Sequence, residues 1–132
     1  MYPITLVGEV YKVIEKLRVR RGEYKLAMLY NADFETSTNW NLIVSAEWSD
    51  KLGIPEATRE IADVLHQDLG ADVRPAISRI TVLRTTDGFV QDMTHLYPVL
   101  SKAGGVPVNQ VTAGGVTTGV AHVFYSQPQV AA

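Results

Sequence analysis

Leu42, Ile43 and Val44 follow one another in a segment that opens with Thr38-Asn39-Trp40-Asn41. Successive side chains on a strand point to opposite faces, so an unbroken apolar run needs cover on both. A chain with such a strand must place it centrally in a sheet with a layer on either side. The expected strand spans Asn41 to Trp48, with a helical segment before it and another after it.

Thr5 is placed to cap a first helix running from Leu6 to Val19. Leu6, Val7, Val10, Val13, Ile14 and Leu17 recur at three- and four-residue steps and make one apolar stripe. Glu9 near the start and Lys16, Arg18, Arg20 and Arg21 near the end suit the helix dipole, and Gly22 is a natural stop. Lys25 to Tyr30 reads as a strand, and Asn31 to Thr38 as a polar turn. Past the central strand, Ser49 to Ile54 reads as a loop. Pro55 then opens a second helix with Ala57, Ile61, Val64, Leu65 and Leu69 on one face and Gly70 as its cap. Ile77 to Arg84 reads as a third strand.

Asp87-Gly88 suits a tight hairpin turn, or Asp87 can cap a short helix bearing Phe89, Val90, Met93 and Leu96. The helical spacing of those four residues favours the helix, and Pro98 ends it. Beyond it, Ala103-Gly104-Gly105-Val106 recurs as Ala113-Gly114-Gly115-Val116. Such turn signals predict short antiparallel strands, the last from Val120 to Ser126. The expected organisation is a single domain over 1–132, with a core at 6–84, a C-terminal helix and strands at 85–126 and a flexible tail at 127–132. The expected fold class is α+β: a small mixed sheet and two main helices in the order helix-strand-strand-helix-strand, plus a Gly-rich antiparallel extension.

A chain of 132 residues buries roughly two thirds of its unfolded surface, enough for its own core. The net charge of −2 argues against a dedicated nucleic-acid binder. With no cysteine, a disulfide framework, a thiol nucleophile and a cysteine zinc site are excluded. No apolar run approaches the roughly 18 residues of a membrane span. The N-terminus has no basic segment followed by an apolar core, so the expected location is the cytoplasm.

The order of elements resembles the minimal nucleotidyltransferase fold over residues 6–84. In that family a Gly-Ser pair ends the first strand and Asp-x-Asp opens the next, its aspartates binding magnesium, with a third acid on the following strand. Here the Asp-x-Asp positions match Asn39 and Asn41, and the Gly-Ser positions match Ala27-Met28 or Tyr30-Asn31. The third acid falls near Thr81. Magnesium-dependent phosphoryl transfer needs anionic oxygens, and amides supply none, so the resemblance implies a scaffold without that chemistry. From Trp40 to Thr86 the chain is also similar to a family of small uncharacterised bacterial proteins. Val44-Ser45-Ala46-Glu47-Trp48 and Ile77-Ser78-Arg79-Ile80-Thr81-Val82-Leu83 carry that likeness.

Other chemistry is thinly supported. Asp33, Glu35, Glu47 and Asp50 flank the asparagines, but no spacing makes them converge, and solvated loop acids are the better reading. His66, His95 and His122 lack paired-ligand spacing. No serine sits in a nucleophile elbow. The expectation is therefore no catalytic residue, no metal and no cofactor. Asn39, Asn41 and Arg79 are the candidate ligand-binding residues. Trp48, Arg18, Arg20 and Arg21 are the candidate interaction residues. Trp40 and Trp48 would share a side of a regular strand, leaving Trp48 at its end to rim a pocket or interface. The leading expectation is a non-catalytic nucleotidyltransferase-like module that acts by protein interaction or self-association. The alternative is a binder of a nucleotide or phosphate without metal chemistry.

Overall fold

The computed structural model describes residues 4–31, 39–99, 104–109, 112–113, 116–117 and 119–128. The turn over 32–38 with Asp33 and Glu35, the second Gly-Gly pair at 114–115 and the last residues, 129–132, lie outside them.

Helix α1 spans Ile4–Arg21, and every residue of its predicted apolar stripe is buried. Thr5 lies within the helix rather than capping it. Gly22, at φ 132°, turns the chain out of it into β1, Leu26–Asn31. Strand β2, Trp40–Ser45, is buried at every position, as its apolar triplet requires.

The central strand ends three residues earlier than expected. Glu47–Leu52 forms a short helix, α2, where a strand end and a loop were predicted. The Ser49 hydroxyl accepts from Ala46 N at 3.1 Å and donates to Ala46 O at 2.8 Å, closing the first turn. Glu47 and Asp50 fall near its positive end. Trp48 therefore rides on a helix, and its relation to Trp40 by strand alternation does not hold.

Gly53, at φ 97°, breaks α2 from α3, Ile54–Asp68. Ala57, Ile61, Val64 and Leu65 are buried along α3, which Leu69 caps in place of Gly70. Gly70 instead donates its N–H to Glu9 at 2.8 Å, tying the end of α3 to α1. A 3-10 turn at Arg74–Ala76 leads into β3, Ile77–Val82. Asp87 accepts from Phe89 N at 2.8 Å and caps α4, Gly88–Leu96, so the helix reading of Asp87-Gly88 holds. Val90 and Met93 are buried, whereas Leu96 is 61% exposed.

The C-terminal strands are β4, Val106–Asn109; β5, Thr112–Ala113; β6, Val116–Thr117; and β7, Val120–Ser126. The main sheet is five-stranded and mixed, in the order β3-β2-β1-β7-β4, and β5 and β6 pair separately. Only β2 and β3 run parallel. β7 is thus an inner strand beside β1. The sheet core reaches well past residue 84, because β4 and β7 are built into it.

Two apolar layers cover the sheet. On one face α1 and α3 pack on Ala27, Leu29, Trp40, Leu42, Val44 and Phe124. On the other, α4 covers Leu26, Met28, Ile43, Ala121 and Val123. The described residues therefore form a mixed α+β architecture of four α-helices and this sheet. None of these helices is long and apolar enough to cross a membrane.

Candidate functional site

The α4 face is covered less completely over β2 and β3, and a cleft opens there. Its polar end, about 290 Å³, is lined by Tyr30, Asn39, Asn41, Ser78 and Arg79. Its apolar end, about 220 Å³, shares Tyr30, Asn41 and Arg79 and adds Ile43, Thr81, Leu83 and Phe89. The three candidate ligand-binding residues of the sequence thus line one cleft.

Local backbone geometry places each of them. Asn39 sits at φ 64°, a left-handed conformation that asparagine tolerates better than most residues. Its role is partly that of a turn residue at the mouth of β2. Asn41, on the strand, is buried, and its Oδ1 accepts from Thr81 Oγ1 at 3.0 Å. Its Nδ2 has no protein partner among the described residues. Thr81, where the resemblance would place a third acid, holds this amide in place.

Arg79 reaches the cleft through an irregularity in β3. Trp40 pairs with Ile77 and Asn41 with Arg79, so Ser78 is an extra residue, a bulge. The bulge lets both Ile77 and Ile80 pack toward α3 and turns Arg79 to the opposite face, beside Asn41. Arg79 is exposed and makes no ion pair among the described residues. Among the described residues, neither end of the cleft is lined by an aspartate or glutamate. An anion placed there would meet a guanidinium and amide N–H donors, and no carboxylate among the described lining residues.

Of the flanking acids, Glu47 and Asp50 are among the described residues, and they lie elsewhere. Glu47 and Asp50 follow the far end of β2, on the order of 15–20 Å from Asn41 along an extended strand. Asp50 accepts from Thr85 N and, at 2.6 Å, from Thr85 Oγ1, tying α2 to the loop before α4. No group of three or more acidic, histidine or cysteine side chains is arranged to hold a metal among the described residues. His122 is buried with Nε2 against Gly104 O, and burial lowers its pKa below the ordinary value.

The candidate interaction residues lie around the C-terminal end of α1, with Trp48 beside Gly22, and the arginines are paired with glutamates. Trp48 is half-buried and meets Tyr24 edge-on at 6.0 Å. Arg18 bonds Glu15 and Glu23, which hold its guanidinium above its ordinary pKa. Glu15 also accepts from the Tyr125 hydroxyl. Arg20 and Arg21 both reach Glu60, and Arg21 donates to it from Nε at 3.0 Å. The hydrogen bond from Arg21 is the main cause of a lowered Glu60 pKa, opposed by partial burial. A cavity of about 460 Å³ beside these groups carries Arg20, Arg21 and Arg59 together with Glu56, Glu60 and Asp63, so its charges largely balance.

Sequence reasoning missed Tyr30, Ser78, Ile43, Leu83 and Phe89 as cleft residues, because none carries a recognisable spacing. One signal in the sequence does point to this region. Val73 to Thr86 holds Arg74, Arg79 and Arg84 and no acid, in a chain of net charge −2. The chain matches no protein-family model, no curated protein and no solved structure.

Proposed function

We propose that this protein binds a small anionic ligand, a nucleotide or similar phosphate ester, in the cleft over β2 and β3 without metal chemistry. The observation that carries this reading is Arg79, unpaired among the described residues, facing a cleft beside Asn39 and Asn41 whose described lining holds no acid. A guanidinium donates two parallel hydrogen bonds to a phosphate. The free Nδ2 of Asn41 and the amide of Asn39 add neutral donors that fix its orientation. Ile43, Leu83 and Phe89 offer the other end to a base or another flat apolar group.

A degenerate nucleotidyltransferase-like core is consistent with this reading. β1 and β2 run antiparallel and β2 and β3 parallel, with helices before β1 and between β2 and β3. Amides stand where that family carries metal-binding acids, which supports binding without phosphoryl transfer. Action through protein contacts remains the second reading. It is favoured by a separate feature, the edge of β3, which no other described strand pairs.

Thermal melting with nucleoside mono-, di- and triphosphates, with and without magnesium, tests the proposal. Ligand at about 100 times its Kd adds roughly 2.7 kcal/mol to stability, a shift of several degrees. The expected result is a magnesium-independent shift that Arg79→Ala removes. An equal shift in Arg79→Ala would take the ligand out of this cleft. A shift that needs magnesium would overturn the metal-free reading.

A further inference from the structure

We propose that the outer edge of β3 is a docking site for an extended acidic segment of a partner protein, which joins the sheet as a sixth strand. This site is distinct from the cleft, which opens on the α4 face.

Three observations converge on it. The first is a hydrogen-bonding ladder that no other described strand completes. β3 ends the sheet order, and Leu83 N donates to Val44 O at 2.9 Å. In a parallel ladder alternate residues face the neighbouring strand, so Arg79, Thr81 and Leu83 turn their backbone groups to β2. Ile80, half-buried, turns its own outward, where an added strand would satisfy them, whereas Val82 at the end of the strand is buried. The opposite edge differs: β4 carries Pro107, which has no N–H to offer.

The second is a pocket on the α3 side of this edge. It measures about 150 Å³ and is lined by Leu65, Leu69, Ile77 and Ile80 with His66 and Arg74. An added strand sends alternate side chains to this face. The residue lying beside Ile80 would enter the pocket, which suits one apolar side chain.

The third is charge. Arg74, at the pocket, and Arg84, just past β3, make no ion pair among the described residues. Arg74 gives Nη2 to Leu69 O at 3.2 Å, while its Nε is buried without a hydrogen-bond partner. A carboxylate near the pocket would supply that partner. The ladder and the apolar pocket favour a peptide over nucleic acid, which has no amide backbone to pair with a strand edge.

A labelled peptide containing Glu-Thr-Leu-Thr-Glu, whose alternation puts both glutamates on the leucine's face, tests the site by fluorescence anisotropy. Saturable binding is expected. Affinity should fall about tenfold or more when the backbone amides on its pairing edge are methylated, or when lysines replace the glutamates. Arg84→Glu, at an exposed position, should weaken binding several-fold. Arg79→Ala should leave peptide affinity within about twofold while removing nucleotide binding, which separates this site from the cleft. Equal binding of the methylated or lysine peptide would overturn the proposal, as would preference for a single-stranded oligonucleotide. So would a dimer in light scattering that Ile80→Lys dissociates, since the edge would then belong to a second copy of the chain.

Discussion

At the C-terminal end of α1, Arg18, Arg20 and Arg21 each reach a glutamate, and on α3 Arg59 reaches Glu56. Along β3 and its flanks, Arg74, Arg79 and Arg84 reach none among the described residues. The two groups have the same side-chain chemistry and opposite uses. On the helix layer, acids of α1 and α3 lie within side-chain reach of the basic residues, so the charges close on one another and fasten α3 to α1. On β3 the neighbouring strand offers an amide and apolar groups, so the charges stay open to something outside. Clustering in sequence is thus a poor guide to a charged binding surface, and local absence of the opposite charge is a better one.

The largest expected effect tests what lies beneath the paired group. Ile61 is fully buried between α3 and the sheet. Ile61→Ala should cost about 2–5 kcal/mol in urea unfolding, through lost burial and the cavity left behind. A cost below about 1 kcal/mol would mean that the ion pairs, and not the apolar seam, hold α3 in place.

Glu60→Gln should cost less, about 0.5–1 kcal/mol, because it leaves Arg20 and Arg21 without their shared partner. Its pH dependence has a definite sign. Glu60 has a folded-state pKa below its ordinary 4.5, so the unfolded chain takes up a proton first as pH falls. The stabilisation is complete above 4.5 and is lost as pH falls through the lowered native value. The gap between native protein and Glu60→Gln should therefore close in acid and persist at neutral pH. A gap independent of pH would assign the loss to packing.

The smallest expected effect sharpens the contrast most. Arg84→Ala should change stability by no more than about 0.5 kcal/mol, as befits an exposed side chain without a partner. A loss as large as that of Glu60→Gln would show that β3 uses its arginines for folding as the helices do.

Sequence patterning made the frame of the molecule legible. The buried stripe of α1, the fully covered β2 and the Asp87 cap of α4 all follow from spacing and side-chain chemistry, which act within one element. The cleft was legible only in its polar part. Asn39, Asn41 and Arg79 were noticed for their chemistry, but Tyr30 and Phe89 are joined to them by strand pairing and by the docking of α4. The boundary of β2 was misread because one hydroxyl, Ser49, bonds the Ala46 backbone and starts a helix where apolar character alone would continue the strand.

What the sequence determined by itself is therefore local: where α1, α3 and α4 form, which strand is covered on both faces, and that amides and an arginine stand where β2 and β3 meet. Tertiary structure alone decided that β7 enters the sheet between β1 and β4, making these two C-terminal strands, β4 and β7, part of the core. It also decided that the Ser78 bulge turns Arg79 into the cleft, and which arginines find a glutamate. Each of these depends on residues far apart in the chain, whose contacts are fixed by how strands and helices pack together, beyond the reach of periodicity within any one segment.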